Sequence, residues 1–200
     1  MAAHDSSHAG SGGLAVARLA SAELVGAGGF SLHSAAFING EELDPSFTSD
    51  EEDAVAPPLE WTAPPAGAAE LALVVEDPDA PGAEPACHWL VWGLAPQQGQ
   101  LLEGEAPPRV GKNSQRNSEW LLPRVPKGES HSYVFQLFAL DAPLGLMPGS
   151  SRAALLEAIE GHVVGVALLT ATYAGAGDDD ETGGEWGDVD VDEIDWDGKD

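Results

Sequence analysis

The chain is 200 residues long, with 43% hydrophobic residues, a mean hydropathy of −0.12 and a single cysteine, Cys87. That is enough apolar material for a packed domain, and it excludes both a wholly disordered chain and a disulfide-stapled scaffold. Thirty-four acidic residues against eight basic ones leave a net charge of −26, which excludes a nucleic-acid binder, because phosphate backbones are met with a basic footprint.

Residues 1–13, rich in Ser, Gly, Ala and His, read as a disordered end. Residues 14–29 read as an N-terminal extension with room for a short helix around 14–25. This opening stretch lacks a basic start, and Arg18 and Glu23 interrupt its apolar run, so it is a poor secretory signal. No run approaches the ~20 apolar residues of a membrane span. With one cysteine and no signal, a cytoplasmic location is expected.

From residue 30 onward the spacing predicts five strands: 30–37 (FSLHSAAF), 71–77 (LALVVED), 88–94 (HWLVWGL), 131–141 (HSYVFQLFALD) and 162–173 (HVVGVALLTATY). A two-residue period puts His88 on one face with Leu90, Trp92 and Leu94. It puts His131 on one face with Tyr133, Phe135 and Leu137. Pro57-Pro58, Pro64-Pro65 and Pro107-Pro108 keep the connections irregular. One helix is expected over 152–160, capped by Ser151, striped by Leu155, Leu156 and Ile159, and stopped by Gly161. Many strands, long connections and one late helix predict a mainly β protein, a β-sandwich spanning 30–173 with one or two peripheral helices. The last segment, 174–200, holds twelve acids against one lysine and reads as a solvated, disordered tail. Its DVDVDEIDWD stretch also has the pattern of an edge strand or a partner-docking motif.

Candidate chemistry sits where strands begin and end. Asp77-Pro78-Asp79-Ala80-Pro81 follows a buried strand, His88 opens the next, and His131-Ser132-Tyr133 opens the longest. A sheet core accepts ionisable groups when they are paired or line a cavity. The two aspartates can serve the turn by accepting loop N–H groups, or they can serve a site. His88 alone reads equally as a satisfied core histidine, whereas His131 and Tyr133, two residues apart, can point into one cavity. Cys87 reads as buried and inert. No HxxxH-type spacing marks a metal site and no GxSxG elbow marks a hydrolase.

The motif order carries a resemblance. Ala56-Pro57-Pro58-Leu59-Glu60-Trp61, LALVVEDPDAP at 71–81, His88-Trp89, Gly111-Lys112-Asn113-Ser114, His131 and Tyr133 before FQLFALDAPL, and SRAALLEAIEGHVVGVALLTATY appear in sequence. In this the chain resembles the phosphatidylethanolamine-binding protein family, in particular its bacterial, Raf-kinase-inhibitor-like branch. The resemblance implies two antiparallel sheets and a small pocket that takes anions such as phosphate or a phosphorylated headgroup. Asp77, Asp79, Pro81, His88, His131 and Tyr133 would line it. It also implies a non-enzymatic role without a cofactor, and a second reading as an inhibitor or interaction module that meets a protein partner through its acidic surface and tail. The chain departs from the family pattern in a short loop before His131, in the acidic stretch Asp50-Glu51-Glu52-Asp53-Ala54, and at two further places. Ser132 stands where an arginine is usual, and Leu121-Leu122-Pro123-Arg124-Val125-Pro126 lacks the usual glycine and proline pair. The segment Asn113, Ser114 and Arg116 is placed as a loop able to cover the pocket.

Because a bare carboxylate repels an anion at 4 Å by about 4 kcal/mol at an effective dielectric of 20, the aspartates are expected to face protein donors. The imidazoles and the phenol are expected to face the ligand. The near absence of lysine suits a high-salt cytoplasm, where charge repulsion is screened.

Overall fold

A computed structural model describes residues 13–175. The segments 1–13 and 174–200, expected to be disordered, therefore lie outside the described residues, apart from Gly13, Ala174 and Gly175. In chain order the elements are α1 (Ala15–Leu19), β1 (Leu32–His33), β2 (Leu59–Trp61), β3 (Glu70–Asp77), β4 (Ala86–Leu94), β5 (Gly99–Leu101), β6 (Arg109–Val110), β7 (Ser130–Leu140), α2 (Arg152–Ile159) and β8 (Val163–Ala174). They form a small sheet ordered β1-β2-β5 and a large sheet ordered β6-β4-β3-β7-β8, antiparallel throughout.

Strand β3 is buried along its whole length, which explains its unbroken apolar run. Leu71, Leu73 and Val75 point to a core shared with the small sheet, alongside Phe135, Leu137, Leu169 and Trp61. Ala72 and Val74 point the other way, to a second core closed by Leu155, Leu156 and Ile159 of α2 and by Ala15 of α1. Helix α2 keeps its expected cap, with Ser151 Oγ accepting from Ala154 N at 3.2 Å. Gly161 follows at φ +83°, a conformation that favours glycine.

The expected strand over 30–37 is reduced to Leu32–His33. Beyond it Ser34 diverts the backbone, its hydroxyl bonding Pro58 O at 2.7 Å and accepting from Ala36 N at 3.1 Å. Three short strands, β2, β5 and β6, were not expected, because two or three residues carry too little periodicity to register.

The N-terminal extension docks on the outer face of the large sheet. Fully buried Glu76 accepts from Ala15 N (2.8 Å), Gln136 Nε2 (2.7 Å) and Arg152 Nε (2.5 Å). Gln136 Oε1 accepts from Val16 N at 2.7 Å, and Arg152 reaches Gly13 O at 2.9 Å. The buried carboxylate is thus ion-paired and fully bonded, the condition under which a core tolerates one.

Candidate functional site

The site forms where the C-terminal end of β3 meets the starts of β4 and β7. Strand β4 departs from simple alternation there. Val75 pairs with Trp89 but Glu76 pairs with Cys87, so His88 is an extra residue, a β-bulge. Cys87, Leu90 and Trp92 face the helix-covered core, while Trp89 faces the inter-sheet core and His88 turns to the same side. A second irregularity near Gly93, at φ +78°, returns Leu94 to the inter-sheet core. The two-residue period therefore misplaced both His88 and Leu94 with respect to Leu90 and Trp92. In β7 the alternation holds, and Tyr133, Phe135 and Leu137 share the inter-sheet core.

Asp77 ends β3 and is 3% exposed. Its Oδ1 accepts from Asp79 N (2.8 Å) and Ala80 N (3.0 Å), closing the turn. Its Oδ2 lies 2.7 Å from Nδ1 of His131. Asp79 is exposed on that turn, and its Oδ2 accepts from Ser132 N at 2.8 Å. Both carboxylates are thus committed to protein donors. Pro81 is exposed on the turn and contributes no polar group.

His131 is buried, and its Nε2 stands 3.5 Å from Oε2 of Glu129, whose side chain is largely exposed. Burial works against a charged ring, but the hydrogen bond and charge of Asp77 outweigh it. With Glu129 and Asp79 adding to that effect, the pKa of His131 is raised above the ordinary 6.5. His88 is the opposite case. Burial pushes its pKa down, against the pull of its hydrogen bond to Leu121 O and of Asp77's charge, and His131 pushes it further down. Its Nδ1 donates to Leu121 O at 2.6 Å, so the neutral ring keeps Nε2 as an acceptor.

Tyr133, on β7 with His131, is fully buried and lies edge-on to His88, centroids 5.0 Å apart and planes at 90°. Its hydroxyl is buried with no hydrogen-bond partner among the described residues. Burial, then the nearby charge of Asp77, raises its pKa, so it stays a neutral donor. Four of the six sequence candidates (Asp77, His88, His131 and Tyr133) are thus brought together in the interior, with Asp79 bracing them from outside.

Neighbours not singled out from sequence also belong here. Glu129 lies one residue before β7 begins, in the turn that leads to His131, where the strand period does not place a side chain. Tyr173 is the cross-strand partner of His131, and its hydroxyl donates to Asp50; finding it required the β7–β8 register. The Leu121 carbonyl left no sequence signal. A cleft of about 600 Å³ opens nearby, lined by Trp89, Trp120, Val110, Leu122, Glu105 and Arg124 among others, and includes none of the six candidates. It is mostly apolar with a single cation, whereas the groups with shifted pKa values, His88, His131 and Tyr133, lie in the cluster with Asp77; the cluster is where the polar chemistry resides. The Asn113, Ser114 and Arg116 segment does not cover the cluster. It lines a separate pocket beside Cys87 and α2.

The architecture and this acid–imidazole–phenol cluster define an antiparallel β-sandwich protein with a polar site at one sheet end. Over residues 33–174 the chain matches the family model described as phosphatidylethanolamine-binding protein, and it belongs to that family. It is 36% identical over 152 residues to a UPF0098 protein of Methanothermobacter thermautotrophicus, covering 71% of this chain and 97% of that one. It is 40% identical over 144 residues to LppC of Mycobacterium tuberculosis, named as a lipoprotein, covering 70% and 69%. The crystal structure of the phosphatidylethanolamine-binding protein homologue CT736 of Chlamydia trachomatis superposes with a TM-score of 0.68 at 32% identity, covering 74% of this chain and 98% of that one. Escherichia coli YbcL, at 24% identity, shares the fold with a TM-score of 0.67 over 74% and 99%.

Proposed function

We propose that this protein binds a small oxyanion, a phosphate or phosphorylated headgroup, at the cluster of Asp77, His88, His131 and Tyr133, and acts by binding rather than by catalysis. The observation that carries this reading is the buried Tyr133 hydroxyl, a neutral donor without an acceptor among the described residues, on a ring that lies edge-on to the imidazole of His88. An orphaned buried hydroxyl costs about 1–3 kcal/mol, and a ligand oxygen removes that penalty. Asp77 orients His131 through Nδ1 and supports its positive charge, leaving Nε2 toward the exposed side where Glu129 now stands. An entering anion replaces the Glu129 carboxylate on Nε2 and accepts from Tyr133. The two aspartates do not repel it strongly, because loop and strand N–H groups already hold them.

Binding fits these residues better than turnover. Among the described residues no hydroxyl or thiol is hydrogen-bonded to either imidazole, so the Asp77–His131 pair has no nucleophile to activate. Cys87 lies on the opposite sheet face, its thiol pushed up to about 12 by burial and by the charge of Glu76. A lone, buried, protonated thiol is at home in a reducing cytoplasm, and cell fractionation tests that placement against the lipoprotein name of its mycobacterial relative.

The test is calorimetric titration with sulfate, whose charge is constant near neutral pH. Saturable binding that weakens in both His131→Gln and Tyr133→Phe supports the reading. Wild-type affinity retained in both variants overturns it.

A further inference from the structure

In a chain with eight basic residues, three of them (Lys112, Arg116 and Arg152) line one pocket of about 420 Å³ on the far side of β4 from His88. Lys112 and Arg116 are exposed and make no ion pair or side-chain hydrogen bond among the described residues. In a protein this acidic, two neighbouring cations without a carboxylate partner need an explanation.

The scaffold presents them deliberately. Asn113 is buried; its Oδ1 accepts from Gln115 N (2.9 Å) and Asn117 N (3.2 Å), and its Nδ2 donates to Glu119 O (3.1 Å). This staples a turn in which Arg116 takes φ +66°, a left-handed conformation uncommon for a non-glycine residue. Lys112 is anchored by its own N–H on Ser150 O at 2.9 Å, which draws it to the start of α2. There, Ser151 Oγ satisfies Ala154 N and Ser151 O satisfies Leu155 N, leaving the N–H groups of Arg152 and Ala153 without partners among the described residues. The Arg152 guanidinium is itself committed to Glu76 and Gly13 O, so its backbone rather than its side chain is on offer. One acid, Glu84, borders the pocket, 3.8 Å from Arg152 and largely exposed.

We propose that this pocket is a second anion site, independent of the His131 cluster, that takes a phosphate-like dianion between Lys112, Arg116 and the N–H groups opening α2. The two cations, unpaired among the described residues, carry the assignment, and the helix terminus adds donors aimed at the same space.

The test is a titration of the full chain with inorganic phosphate, followed by backbone amide NMR, with sodium chloride at matched ionic strength as control. Phosphate should move the Arg152, Ala153 and Ser114 amides saturably, and chloride should not. Lys112→Gln with Arg116→Gln should weaken that binding about tenfold or more, the loss expected of charge-assisted hydrogen bonds. Glu84→Gln should tighten it. His131→Gln should leave these amide shifts unchanged, which separates failure of this site from failure of the first. Phosphate shifts that persist in the double variant, or equal shifts with chloride, overturn the proposal.

Discussion

Nδ1 of His131 and Oδ2 of Asp77 stand 2.7 Å apart, joining the end of β3 to the start of β7 across 54 positions of sequence. The same carboxylate closes the turn that follows β3. One aspartate therefore fixes a loop and orients a ring.

The two imidazoles should act on stability with opposite signs. His131 has a raised pKa when folded, so its contribution is complete below pH 6.5 and is lost as pH rises through the folded value. His88 has a lowered one, so it removes stability as pH falls below 6.5. Urea unfolding across pH 5 to 8 should show the wild type losing stability relative to His131→Gln as pH rises. It should show the wild type losing stability relative to His88→Gln as pH falls. Parallel curves for all three proteins would refute both assignments.

Tyr133→Phe removes a buried hydroxyl that has no acceptor among the described residues. It should leave stability unchanged or raise it by about 1 kcal/mol, while weakening sulfate binding. A loss of stability greater than that, measured by denaturant unfolding without ligand, would show that the hydroxyl is already satisfied.

Glu129 competes with an incoming anion for Nε2 of His131. Glu129→Gln should therefore tighten sulfate binding at pH 6, below the raised pKa of the wild-type ring. Weaker binding in the variant would mean that Glu129 serves the site rather than occupying it.

Among the described residues, Glu76 is the one carboxylate hydrogen-bonded to both Arg152 and the first N–H of α1. Glu76→Ala leaves those donors uncompensated and should cost about 3–5 kcal/mol. Hydrogen exchange at Ala15 and Val16 should accelerate with it. Unchanged protection there would show that other contacts hold the N-terminal segment.

The long strands were legible because each carries many apolar positions, and helix α2 was legible from Ser151 and Gly161. In β7 the two-residue period placed Tyr133, Phe135 and Leu137 correctly, because that part of the strand has no bulge. In β4 it failed, because an extra residue at His88 reverses every later side chain until Gly93 corrects it. A bulge is set by pairing with β3 and leaves no mark in β4's own composition. Asp77, His88, His131 and Tyr133 were singled out at strand ends, His131 and Tyr133 paired by the two-residue period, and the order of motifs joined them into one site. What could not be read was how they divide the work: which carboxylate turns to the loop, which ring is charged, and that Glu129 and Tyr173 stand beside them. Those depend on registers between strands far apart in sequence.

The central claim is that a charged His131 faces a bound oxyanion. NMR titration of the His131 ring with and without saturating sulfate tests it directly, because a ligand that prefers the charged ring must raise its pKa. The account predicts an upward shift for His131 in sulfate. An unmoved pKa at saturating sulfate would contradict it.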